Sequence, residues 1–117
     1  MTNNYTTNKL LMEVGISPDM SGYHYLADAV NAAKEAILSA DVSCRIMELY
    51  MQIAQKFNTT TIRAERAMRY AIEKAFLSNN TTLQKIFNTL VDTKSNKVTV
   101  SCFVYTLAQY LIMGNGD

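Results

Sequence analysis

Residues 53–73 read IAQKFNTTTIRAERAMRYAIE and decide how the whole chain is interpreted. Two stretches whose apolar residues recur with helical spacing flank the polar tripeptide at 58–60. The second stretch also carries Arg63, Arg66 and Arg69. The segment is therefore either an ordinary helical hairpin with a solvated charged face or a helix-turn-helix, the arrangement that many proteins use to read DNA.

The second stretch predicts the strongest helix of the chain, at about residues 60–78, with Thr59 or Thr60 as its N-cap. Small and apolar residues repeat every three or four positions and form one buried stripe: Ala64, Ala67, Met68, Ala71, Ile72, Ala75 and Phe76. The opposite arc holds Ile62, Arg66, Arg69, Tyr70 and Glu73, with Arg63 at one edge and Glu65 at the other.

Three details favour the helix-turn-helix over the solvated face. The preceding helix ends in Ile53, Ala54 and Phe57, and its small alanine allows a second helix to approach closely. A short polar turn follows, which suits the steep crossing of the two helices in this motif. The exposed charges also gather in the first half of the second helix, the end that enters the major groove. We predict a helix-turn-helix at about residues 46–78.

The rest of the chain is also predicted to be helical, so the fold class is all-α: one compact domain, residues 1–117, of about six helices. Gly15 is expected to stop the first helix, and 40–41 to break the second. The polar stretch 92–100 is predicted to be a loop, with an extended piece at 98–100. The other predicted helices span 6–14, 22–38, 43–50 continuing or bending into 51–57, 82–90 and 101–113.

Composition excludes several classes of protein. Nearly half of the 117 residues are hydrophobic, which is enough for a core. No run of about 18 uncharged apolar residues predicts a membrane span, and the N-terminus has no signal-peptide pattern, so we expect a cytoplasmic protein. Cys44, Cys102 and the single His24 form no metal-binding or catalytic motif. We therefore expect no enzyme activity, no cofactor, no metal and no small-molecule substrate.

Charge is unevenly distributed along the chain. The formal net charge is only +1, which by itself argues against a nucleic-acid partner. However, residues 56–74 contain five cationic side chains and two glutamates, a local balance of +3. A phosphate backbone responds to this local field rather than to the total charge, so double-stranded DNA remains the expected partner.

The side chains of the exposed arc suit DNA chemically. Arg66 can donate two hydrogen bonds to guanine, and Glu65 can accept one from cytosine N4. Ile62 faces outward and either touches a thymine methyl group or is simply exposed. The predicted phosphate contacts are Lys56, Thr59, Thr60, Thr61, Arg63, Arg69 and Tyr70. If four or five cations meet phosphates, log K should fall with log salt at a slope of about −4.

The segments GYHYLADAV (22–30) and LYMQIAQKFNTTTIRAERAMRYAIEKAF (49–76) together resemble a known family. It is the C-terminal DNA-binding domain of stage-zero sporulation protein A, the master response regulator of endospore-forming bacteria. The resemblance covers about residues 8–113. It implies a six-helix effector domain that binds TGTCGAA-like boxes, often as a tandem pair, to regulate transcription. It also implies association with the nucleoid.

The family's base-contacting Glu and Arg match Glu65 and Arg66, and its neighbouring basic positions match Arg63 and Arg69. The chain departs from the family's pattern at Ile62, where a hydroxyl residue is usual, and at Tyr70, where His is usual. The family's regulators carry a phosphoacceptor receiver domain before this one. We expect no receiver domain in this sequence.

The last helix, 101–113, is apolar on several faces, so it is either buried in the core or part of a homodimer contact. This leaves a second functional hypothesis from another class. In that alternative the domain is an interaction module, or an antagonist of a full-length regulator, with little DNA binding of its own.

Overall fold

A computed structural model describes residues 6–39, 46–90 and 98–115, without the side chains of 88–90 and 115. Within these ranges the chain forms six α-helices and no strand, which confirms the predicted all-α fold. The helices are α1 (Thr7–Glu13), α2 (Ser21–Leu38), α3 (Ile46–Lys56), α4 (Thr61–Leu77), α5 (Thr81–Leu90) and α6 (Val100–Asn115).

Most helix ends follow from local hydrogen bonding. The Thr6 hydroxyl accepts a bond from the Lys9 backbone N–H at 3.2 Å and opens α1. The chain leaves α1 through Gly15, whose φ of 98° is a conformation that glycine adopts without strain. The prediction that Gly15 stops the first helix is therefore confirmed.

The structure decides one predicted boundary that was left open and corrects another. Of the two alternatives left open for residues 51–57, the structure shows continuation, because residues 46–56 form the single helix α3. Val100 is not extended but is the first residue of α6. Thr99 explains this start, because its hydroxyl accepts the Cys102 backbone N–H at 3.0 Å, as an N-cap does. The predicted break at 40–41, residues 43–45 and the loop 92–97 lie outside the described residues.

The helix α2 lies at the centre of the bundle and contacts α1, α3, α4 and α6. Its partner α6 contributes Phe103, Val104 and Leu107, all without solvent exposure. Phe103 stacks on Phe87 of α5 with ring centroids 5.5 Å apart, and Phe76 of α4 meets Phe87 edge-on at 5.4 Å. Burial of these large rings removes much apolar surface from water and fixes the far end of α4 against the core.

Core packing accounts for most of the apolar surface of α6. Tyr105 and Tyr110 lie half-buried against the same core, and Gln109 is exposed. Met113 is the large hydrophobic residue of α6 that remains exposed, at 52%. The apolar character of this helix is thus explained by its position between α2, α4 and α5. None of the described helices is long and apolar enough to cross a membrane.

Candidate nucleic-acid interface

The turn between α3 and α4 comprises residues 57–60 and is closed by backbone hydrogen bonds. The Thr59 N–H donates to the Ala54 carbonyl at 2.9 Å, and the Asn58 N–H donates to Gln55 at 3.4 Å. This is the Schellman pattern of helix termination, with Asn58 at a φ of 55° in the position that glycine usually occupies. Asparagine tolerates this left-handed conformation better than most residues. The turn therefore sets a defined angle between the two helices.

The helix α4 begins with a side-chain cap. The Thr60 hydroxyl accepts the Arg63 backbone N–H at 3.1 Å, so Thr60 and not Thr59 is the N-cap. The remaining N–H groups of the first turn have no partner inside the helix and point outward along its axis. A helix start of this kind favours anions, and phosphate oxygens are suitable ligands.

The predicted inner and outer faces of α4 are confirmed. Ala64, Met68, Ala71, Ile72 and Ala75 are buried, and the predicted stripe members 67 and 76 are half-buried. Among the outward residues, the exposed fractions are 64% for Ile62 and 60% for Tyr70. The helix α4 thus packs against the rest of the domain through one stripe, and its opposite arc is exposed to solvent.

The three arginines of α4 differ in their partners. Arg69 binds the Glu65 carboxylate with two nitrogens: its Nε lies 3.0 Å from one oxygen and its terminal nitrogen contacts the other. The hydrogen bond to Glu65, followed by the charge of Glu65, raises the pKa of Arg69 above its ordinary value. Arg63 and Arg66 are exposed and form no ion pair with any residue in the described ranges.

Lys56, at the end of α3, is held by a residue of α2. Its Nζ lies 2.7 Å from an Asp28 carboxylate oxygen and 5.5 Å from the centre of the Phe57 ring. Phe57 in turn packs against Tyr25, with ring centroids 5.0 Å apart. The lysine side chain remains 64% exposed, so the ion pair with Asp28 lies at the surface.

Tyr50 of α3 lies behind the Glu65–Arg69 pair. It is 9% exposed, and burial raises the pKa of its phenol, with a further contribution from the negative charge of Glu65 and an opposing one from Arg69. Sequence analysis did not identify Tyr50 or Asp28 as part of this surface. The spacing from Ile53 and Ala54 could have placed Tyr50 on the buried face of α3, whereas no local signal marks Asp28.

An open groove of about 870 Å³ runs along the side of α4 next to this pair. Glu65, Arg69 and Glu73 form one wall, and Phe76 and Phe87 line its apolar part. The pair therefore lies at the border between the outward arc and the groove. No group of three metal-ligating side chains occurs in the ranges that the structure describes.

The comparison with known families assigns the chain to a family. The family model described as "Sporulation initiation factor Spo0A C terminal" matches residues 7–111. The chain belongs to this family. The Spo0A C-terminal domain is the DNA-binding effector domain of sporulation regulators, so the resemblance seen in the sequence is confirmed.

Membership in the Spo0A C-terminal family answers the broad functional questions. The chain is a DNA-binding domain of transcription regulation and not an enzyme, as predicted. Its partner is double-stranded DNA, and a transcription regulator of this family works in the cytoplasm, where that DNA is.

Proposed function

We propose that this domain recognises a TGTCGAA-like box by placing the N-terminal half of α4 in the major groove, as the second helix of a helix-turn-helix spanning about 46–78. One observation carries the proposal: at the capped start of α4, Ile62, Arg63 and Arg66 are exposed while the opposite stripe is buried. A rigidly seated helix with an open basic face has the geometry that groove insertion requires.

Base reading is assigned to three residues of that face. Arg66 has no ion-pair partner among the described residues, so its guanidinium is available to donate two hydrogen bonds to guanine O6 and N7. Glu65 accepts a hydrogen bond from cytosine N4. Ile62, at 64% exposure, offers an apolar contact to a thymine methyl group, in place of the family's usual hydroxyl residue.

Phosphate contacts surround these residues and hold the helix in register. Arg63 is exposed and without an ion-pair partner in the described ranges, and Lys56 can leave Asp28 for a phosphate. Thr60 and Thr61 offer backbone N–H groups at the start of α4, whereas Thr59, whose N–H is bonded to the Ala54 carbonyl, offers its hydroxyl. The Tyr70 hydroxyl extends the phosphate-contacting surface by one further turn of α4. Lys74 lies beside it, with its Nζ 5.8 Å from the centre of the Tyr70 ring.

Two copies are proposed to bind tandem boxes, each through its own α4. Pairing through the last helix is the weaker form of the homodimer hypothesis, because the side chains of α6 are mostly committed to the core. The same observation weakens the alternative of a pure interaction module, which was based on that helix. On the main proposal the domain is associated with the nucleoid.

The test is fluorescence anisotropy with a labelled duplex carrying two tandem boxes and a scrambled duplex, each at two salt concentrations. The parent should prefer the boxes, and its affinity should fall steeply with salt. Arg66→Ala should weaken binding to the boxes by about 1–3 kcal/mol. Lys85→Ala is the matched control, because it removes one exposed cation from α5 and should leave the preference unchanged.

Two outcomes contradict the proposal. If Arg66→Ala binds the boxes as tightly as the parent, Arg66 does not read a base. If the parent binds both duplexes equally and weakly, the domain does not read the family's box. A selection from random duplexes then shows whether Ile62 and Tyr70 have changed the target or whether the interaction module is the better description.

A further inference from the structure

Arg69 differs from the other two arginines of α4 because it forms an ion pair with Glu65. We infer that Arg69 is a positioning residue, which orients the base-reading carboxylate of Glu65 and does not itself contact phosphate. This inference rests on the proposed function, since it assigns the means by which Glu65 selects its base.

The geometry of the pair is that of a two-point contact. Arg69 follows Glu65 by one helical turn, the order in which an acidic residue and a basic residue pair best on a helix. Both oxygens of the carboxylate are engaged by different nitrogens of the guanidinium. A planar fork binding a planar carboxylate fixes the orientation of both groups, which a single contact to an ammonium group does not.

The surroundings of Arg69 make it a poor phosphate ligand. Its charge is balanced by Glu65 on one side, and the charge of Glu73 also stabilises its protonated form. Tyr50 of α3 interacts electrostatically with both members of the pair. The glutamate side chain is only 24% exposed, so it lies against the protein and not free in solvent. The guanidinium, whose side chain is 54% exposed, thus already has an anionic partner that a phosphate would have to displace.

A glutamate in the major groove needs such a partner. The phosphates give the groove a negative potential, which repels an unpaired carboxylate. Arg69 cancels that repulsion and removes side-chain freedom that binding would otherwise have to restrict. An ionised carboxylate has about four acceptor positions, so two bonds from Arg69 leave room for a cytosine N4–H. Cytosine can therefore bind the pair without breaking it.

The experiment is a double-mutant cycle on base discrimination. The parent, Glu65→Gln, Arg69→Gln and the double variant are titrated with the box and with duplexes in which each G·C pair is replaced in turn by A·T. The pair at which Glu65→Gln loses discrimination is the one read by Glu65. At that pair, Arg69→Gln should reduce discrimination about fivefold or more, and the double variant should lose no more than Glu65→Gln alone.

Two further variants separate positioning from phosphate binding. Arg69→Lys keeps the charge but not the fork, so it should fail to restore discrimination. Arg63→Gln is the matched control: it removes one charge from the same helix and should weaken all duplexes equally, with a salt slope shallower by about one. In the free protein, the Arg69 Nε–H signal should exchange slowly with water and should lose this protection in Glu65→Gln.

The outcomes distinguish the two levels of the proposal. If Arg69→Gln behaves like Arg63→Gln and Arg69→Lys restores binding, Arg69 is a phosphate contact and the positioning role is wrong. If the parent discriminates and Arg69→Gln discriminates equally well, the positioning role also fails while the proposed function stands. If the parent itself discriminates no duplex, both the proposed function and this inference fail.

Discussion

Gly22 of α2 touches the backbone of Ala67 in α4. A Cβ placed on Gly22 would lie 2.3 Å from the Ala67 carbonyl oxygen and 3.1 Å from the Cβ of Ala71. The first turn of α2 therefore meets the middle of α4 with no side chain between them. This contact helps to fix the depth at which α4 sits, and so the position of its outward arc.

We expect Gly22→Ala to destabilise the fold by at least about 1–3 kcal/mol, because the added methyl group meets backbone atoms that cannot move aside independently. Urea unfolding followed by circular dichroism measures this. Gly114→Ala is the matched control, because nothing lies within 4 Å of the added Cβ in α6. That variant should be as stable as the parent or more stable, by up to about 1 kcal/mol. Equal stability of Gly22→Ala and the parent would mean that the helices lie further apart.

Loss of the Thr60 cap should weaken both folding and DNA binding. Thr60→Ala leaves the Arg63 N–H without its acceptor, which should cost about 0.5–2 kcal/mol of folding stability. Thermal unfolding gives the first effect and box titration the second. Thr60→Ser should retain both properties. Thr59→Ala serves as the control for folding stability, since Thr59 is not the N-cap, and a larger loss of stability there than at Thr60 would contradict the assignment of the cap.

Removal of Asp28's charge should strengthen DNA binding. In Asp28→Asn the amine of Lys56 loses its carboxylate partner and becomes available to a phosphate. Affinity for the box should rise about two- to fivefold, with a salt slope steeper by up to about one. Glu35→Gln removes the same charge from an exposed site on α2 and is the control. An equal gain in both variants would show a general charge effect and no specific release of Lys56.

A titration at alkaline pH should reveal the raised pKa of Tyr50. Because burial raises its pKa in the folded state, the neutral phenol is favoured by folding. The resulting stability is fully present below the ordinary tyrosine pKa of 10.0 and is lost as pH rises through the raised value. The difference in ultraviolet phenolate absorbance between the parent and Tyr50→Phe isolates this group among seven tyrosines. Titration at or below the ordinary pKa would contradict its burial.

Local signals in the sequence were sufficient for the helices themselves. The stripe of α4, from Ala64 to Ala75, repeats with the period of a helix, and an apolar stripe must be covered by something. Thr60 caps the helix through a hydrogen bond three residues along the chain, and Gly15 ends α1 through its own backbone conformation. Each of these depends on residues within one or two turns, so the chain order alone determines them.

Local sequence signals could not decide whether the last helix belongs to the core or to an interface between two copies. Its apolar residues cover several faces, and periodicity then names no single partner. The structure places Phe103, Val104 and Leu107 against the central helix and its neighbours, where they have no exposed surface. The start of this helix at Val100 was also missed, because a β-branched run beside a polar loop resembles an extended segment until the capping bond of Thr99 is seen.

The amino-acid sequence by itself determined an all-α domain, its family, and which helix presents arginines and a glutamate to solvent. Only the tertiary structure decided the partners of these charges. Asp28 forms an ion pair with Lys56, which lies 28 positions later in the sequence. Tyr50 lies behind the Glu65–Arg69 pair because α3 packs against α4. The physical reason is that the distance between two helices and their rotation relative to each other depend on the whole packed core, whereas a periodic pattern specifies only which face is inside.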